Sequence, residues 1–159
     1  YSPVCATSRY WQSRDTGWIL LKKGQLTDEE REVMRNHVLH GVEIVDLMID
    51  EFDLGTVRHI AMLRNIIAGH HERFDGSGYP AGQQGLDIPV ESRIIAVADV
   101  FDALTTERPY KTAWSFEEAL TRMKTVESAL YDPCCVAALS QRRDDVEAIR
   151  CRFVDPPVV

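Results

Sequence analysis

At 159 residues, with 45% hydrophobic and 27% charged side chains, the chain has the composition of one soluble domain with a core of its own. A net charge of −7 argues against a general nucleic-acid binder, yet leaves open a small anionic ligand held by a metal or a local cation pair. No apolar run reaches membrane-spanning length and no secretory signal is visible, so a cytoplasmic protein is expected.

The periodicity is helical almost throughout. Thr27 followed by Glu30 is a capping box and predicts a helix over 28–50, with Val33, Met34, His37, Val38, Gly41, Ile44, Val45 and Met48 as its inward stripe. A second helix is predicted from Gly55 through Val57, Ile60, Leu63, Ile66 and Ile67 into His70 and His71. The stretch from Phe74 to Pro89 is rich in glycine and long enough to suggest function rather than simple connection. A mostly buried helix is expected over 91–105, and a second capping box at Ser115 and Glu118 opens a helix reaching about Leu130. Asp132-Pro133 starts the last helix and Asp155-Pro156-Pro157 ends it. With no alternating strand pattern, the expected fold is an all-α bundle. Cys5, Cys134, Cys135 and Cys151 form no zinc-type spacing and read as reduced thiols. Because the chain opens with Tyr1, it is expected to be a fragment of something longer.

The chemistry concentrates in His70-His71-Glu72-Arg73-Phe74-Asp75-Gly76-Ser77-Gly78-Tyr79-Pro80. Imidazoles are the commonest metal-ligand side chains, and carboxylates add hard oxygen donors. Gly76 and Gly78 permit a tight loop, while Pro80 stiffens its exit; with Asp75 these residues read as loop-shaping. Asp99 is the second signal, since a carboxylate inside the run Ile94 to Phe101 is costly unless paired, hydrogen-bonded or bound to metal. Taken alone, such a residue is more often a structural hydrogen-bonder. His37 lies on the inward stripe, where a lone histidine is usually a satisfied core residue. Arg108-Pro109-Tyr110-Lys111 is either an exposed basic turn or a phosphate clamp.

The string from His70 to Pro80 resembles the signature of the HD-GYP family, bacterial hydrolases of cyclic di-GMP, and the resemblance runs from about Ile19 to Ala148. It implies a helical bundle of the HD type over 19–151, followed by a tail at 152–159. It also implies His37, His70, His71 and Asp99 as ligands of divalent ions, iron or manganese by donor type. His70, His71 and Asp99 become the catalytic residues. Arg108 and Lys111 become contacts to the phosphodiester, and Tyr79 stacks on or hydrogen-bonds near the substrate, or anchors the loop. His40 and His59 match no ligand and are expected on helix surfaces. The reaction implied is metal-dependent hydrolysis, with an activated water attacking phosphorus in line to give pGpG or GMP. Cyclic di-GMP is the expected ligand. A diguanylate cyclase domain or an N-terminal receiver or sensor domain is the expected partner, with no DNA and no membrane segment.

One part of the pattern is missing. Ile19 to Thr27 fits the segment after the family's His-Asp dyad, but the dyad's place reads Ser8-Arg9-Tyr10-Trp11-Gln12. A permissible encoding of Ser8 to Gly17 reads, one base later, as His-Asp-Ile-Gly-Lys-Val-Ala-Ile-Pro, the absent segment in full. Trp11 has a single codon, and with Gln12 it forces the shifted glycine. Residues 1–17 are therefore read as frame-shifted, with true divergence as the alternative, and residues 1–18 are expected to be irregular and poorly packed. The loss removes ligands, so the site is expected to hold one metal rather than two or three, with activity impaired. If the divergence is real, the domain is a degenerate module that binds cyclic di-GMP or a diguanylate cyclase without hydrolysis.

Overall fold

The computed structural model describes residues 19, 22, 24–57, 59–107 and 112–153. Among these there are six α-helices and no strand: α1 Asp28–Glu51, α2 Ile60–Gly69, α3 Val90–Thr105, α4 Phe116–Thr125, α5 Pro133–Gln141 and α6 Arg143–Arg152. The expected irregular segment at 1–18, the turn carrying Arg108 and Lys111, and the stop at Asp155-Pro156-Pro157 lie outside the described residues.

Both capping boxes form. Thr27 Oγ1 accepts from Glu30 N at 3.3 Å while Glu30 Oε2 accepts from Thr27 N at 2.8 Å. Ser115 and Glu118 do the same at 3.2 and 2.8 Å. Each box satisfies two backbone donors that a helix start leaves open. α2 packs between α1 and α3, and α3 continues onto α4 and α5. The core lies in this second half, where Val97, Phe101, Phe116, Ala119, Leu120, Met123, Tyr131 and Val136 cluster, with Phe101 and Phe116 edge to face at 5.0 Å.

The first half is held by close backbone approach rather than bulk. A Cβ on Gly41 would stand 2.7 Å from Ile67 Cγ2, so α1 and α2 meet where one side chain is absent. A Cβ on Gly69 would meet Ser92 Oγ at 2.7 Å, and that buried hydroxyl donates to Asn65 O at 2.7 Å, tying α3 to α2. Arg93 then joins α3 to the start of α5. Its guanidinium donates to Ile88 O at 2.9 Å and pairs with buried Asp132, which also caps α5 by accepting from Cys134 N at 2.7 Å.

Five expectations change. The α1 stripe is inward only in part: Val38 and Val45 are buried, but Val33, His37, Ile44 and Met48 are exposed, because α2 covers one flank of the stripe and no described element covers the other. α3 is likewise half exposed, with Ile94, Ala98 and Asp99 turned to solvent. The second helix begins at Ile60 after a short 3₁₀ turn at Leu54–Thr56, and α4 stops at Thr125, where Val126 N and Glu127 N both turn back to Arg122 O. The last helix is two: Arg142 N bonds both Ala138 O and Leu139 O, tightening the end of α5 before α6 begins.

Candidate functional site

His37 on α1 and His70 and His71 just after α2 form a group whose ligand atoms all lie within 4.8 Å of one another. The contact at Gly41 and Ile67 sits about one turn from both helices' histidines, so backbone packing sets their spacing. His37 Nδ1 bonds Met34 O, and His70 Nδ1 bonds Ile67 O at 2.9 Å. A carbonyl can only accept, so in both rings Nδ1 carries a proton, and in the neutral form of each ring, the one that binds metals, Nε2 keeps its lone pair. Those two Nε2 atoms face each other at 3.3 Å. Two lone pairs at that separation repel unless a proton or a cation lies between them. With metal–nitrogen bonds of about 2.1 Å, adjacent ligands stand about 3.0 Å apart in octahedral and about 3.4 Å apart in tetrahedral geometry. The donor set therefore fits a transition-metal ion.

His71 completes the group, its ring centroid 4.1 Å from that of His70 and 5.1 Å from that of His37. Burial, reinforced by charge at His70, His37 and Arg73, lowers its pKa to about 4. Near neutral pH it is thus in the uncharged form that binds metals. Asp99 does not join the group: it is exposed on α3, and its charge reaches the site through Tyr79. His40 and His59 are exposed, as expected.

The loop folds back on the turn that carries His71. Gly76 takes φ +83, Ser77 N donates to Asp75 Oδ1 at 2.9 Å, and the Tyr79-Pro80 bond is cis. A Cβ on Gly78 would lie 2.3 Å from Arg73 N and 2.6 Å from His71 O, so no side chain fits there. Tyr79 N donates to His71 O at 3.2 Å, and the Tyr79 ring stacks on the His71 ring at 4.7 Å and 28°. Burial pushes the Tyr79 phenol up, against the charges of Arg35 and Arg73 and with that of Asp99. Two residues of the site carry no assignment from sequence reasoning. Glu72, 4% exposed, accepts from Ala81 N at 2.7 Å and Gln83 N at 3.0 Å and so clamps the loop. The Arg35 guanidinium lies 5.1 Å from the Tyr79 centroid.

Residues 18–135 match the HD domain family. This chain belongs to that family. The motif from His70 to Pro80 places it in the HD-GYP branch. It is 44% identical over 136 residues to the cyclic di-GMP phosphodiesterase response regulator RpfG of Xanthomonas campestris, covering 85% of this chain and 34% of that protein. A cyclic di-GMP phosphodiesterase of Vibrio cholerae is 41% identical, covering 86% and 27%. The same organism's 3'3'-cGAMP-specific phosphodiesterase 2 is 39% identical, covering 86% and 25%. The chain thus spans about a third or less of the relatives it matches. No helix among the described residues is long and apolar enough to cross a membrane.

Proposed function

We propose that this HD-GYP domain hydrolyses the phosphodiester bonds of cyclic di-GMP to pGpG or GMP in a metal-dependent reaction, impaired in this chain by Ser8 and Arg9 standing in place of the dyad. The observation that carries the reading is the convergence of the His37 and His70 Nε2 lone pairs beside a neutral His71. The phosphodiesterase names of the relatives support the substrate class.

A divalent ion, iron or manganese by donor type, would be held by His37, His70 and His71, with Asp99, outside that group in the metal-free arrangement, drawn in from α3 as a fourth ligand on binding; the ion would polarise the phosphodiester and acidify a water. The chain's own residues do the rest. His70, His71 and Asp99 are the proposed catalytic residues, and Arg108 and Lys111 the proposed contacts to the non-bridging phosphate oxygens, Arg108 in bidentate fashion. Tyr79 offers the substrate its hydroxyl edge, since its ring already meets His71 and Arg35. Asp75, Gly76, Gly78 and Pro80 hold the loop that presents it. A receiver, sensor or diguanylate cyclase domain is the proposed partner, in keeping with the response-regulator name of the Xanthomonas relative and the share of it that this chain covers. A cytoplasmic location follows from that substrate.

The test compares the chain as written with a variant carrying Ser8→His, Arg9→Asp, Tyr10→Ile, Trp11→Gly and Gln12→Lys, on cyclic di-GMP and on 3'3'-cGAMP. Turnover of cyclic di-GMP at least about tenfold faster in the restored variant is expected. Turnover in neither, with nucleotide still bound, establishes the non-hydrolytic module instead, and hydrolysis of 3'3'-cGAMP alone overturns the substrate. The gene's own codons for residues 8–17 settle whether the dyad lies one base out of frame.

A further inference from the structure

Tyr79 is a wedge fixed on three sides. Its backbone N–H holds His71 O at 3.2 Å, its ring covers the His71 ring at 4.7 Å, and the chain before it is pressed onto residues 71–73 at Gly78. On α1, Arg35 lays its guanidinium carbon 5.1 Å from the Tyr79 centroid, within cation–π range. Arg35 has little else to hold it: its contact with Glu32 is 3.5 Å long, and its side chain is 52% exposed. Unlike His37 and His70, His71 has no ring hydrogen bond among the described residues, so ring contacts orient it, and of these the Tyr79 face is the most nearly parallel, at 28° against 38° for His70 and 88° for His37.

We propose that Arg35 is a positioning residue of the metal site, closing an Arg35–Tyr79–His71 stack that locks the His71 imidazole in register with His37. The inference rests on the reading of the three histidines as metal ligands. Arg35 and His37 sit two residues apart on the same helix, while His71 and Tyr79 belong to the turn and loop beyond α2. The stack is therefore a direct strap between the element that carries one ligand and the segment that carries another.

The experiment uses the whole chain and two variants, Arg35→Met, which keeps an unbranched stem and removes charge and planarity, and Arg35→Lys, which keeps charge alone. Co²⁺ is the probe, and its affinity is read by competition with a chelator. Imidazole ¹⁵N spectra of the metal-free protein report the His71 ring, and His70→Ala controls for the metal reading. Arg35→Met is expected to weaken Co²⁺ binding about tenfold, in the range for residues that orient ligands. It should also broaden the His71 signals in the metal-free protein, with the melting temperature within about 2 °C of the parent, as for other exposed changes. Arg35→Lys is expected to recover part of both effects, because an ammonium keeps the attraction to the ring without the flat contact. Parent affinity and narrow His71 signals in Arg35→Met, with binding lost in His70→Ala, refute the role of Arg35 and leave the metal site standing. Equal Co²⁺ affinity in parent and His70→Ala refutes the metal reading instead, and the His71 line widths then decide whether the stack fixes the ring.

Discussion

Replacing Glu72 by Gln keeps the shape of the side chain and removes its charge. Both carboxylate oxygens are in use, one on Ala81 N at 2.7 Å and the other on Gln83 N at 3.0 Å. An amide offers one oxygen, so its NH₂ would face a backbone N–H, donor against donor. A hydrogen bond to a charged group contributes about 1.5–3 kcal/mol, and a neutral one about 1. One bond is lost and the other weakened, but Ala81 is exposed and its amide regains water, which favours the low end of the sum. A loss of about 2–3 kcal/mol is expected, or roughly 6–12 °C in melting temperature at about 3–4 °C per kcal/mol for a domain of this size. Calorimetry of the metal-free protein reads the first quantity. Hydrogen exchange at the Ala81 and Gln83 amides reads whether the loop is what opens. A melting temperature within about 1 °C of the parent, with both amides still protected, would refute the clamp.

Gly41→Ala places a Cβ 2.7 Å from Ile67 Cγ2 and is expected to cost about 1–3 kcal/mol, with weaker Co²⁺ binding as α1 and α2 part. Adding Ile67→Ala should cost less than the two single changes summed, which urea unfolding of all three variants checks. Folding depresses the His71 pKa from 6.5 to about 4, so as pH falls the unfolded chain takes up this proton first. The stability that His71 contributes in the metal-free protein is complete above 6.5 and is lost as pH falls toward 4; His71→Asn should flatten the urea midpoint over that window, and equal slopes would refute it. Burial raises the Asp132 carboxyl, but the Cys134 N–H and Arg93 outweigh it and hold the group below its usual range. Asp132→Ala strands Arg93 and uncaps α5, for an expected loss of about 3–5 kcal/mol measured by urea unfolding.

The helix starts at Thr27 and Ser115 were legible because a capping box is local chemistry, written within four residues. The grouping of His37 with His70 and His71 came from the family pattern, since His37 alone reads as a core histidine. Arg35 and Glu72 escaped for a common reason: their partners, Tyr79 and the Ala81 and Gln83 amides, are brought to them by the fold of a loop. Gly41 was read as one member of an apolar stripe, and its use as a point of helix contact depends on Ile67 standing opposite. The exposed half of the α1 stripe and the solvent-facing Asp99 show that periodicity gives a face its character but not its neighbour. The break at Arg142 has no glycine or proline to announce it.

The loop after His71 has a bearing on how small molecules come and go. Gly76 N, Tyr79 N and Gly85 N bond back to Arg73 O, His71 O and Phe74 O, Glu72 takes two more amides, and Phe74 N ties the turn to Leu130 O. Raising such a segment would tear at the turn that carries His71, so it serves as a fixed wall and not as a lid. The approach left open among the described residues is then the opposite side, along the exposed flanks of α1 and α3, and whatever covers those flanks sets how a ligand reaches the histidines.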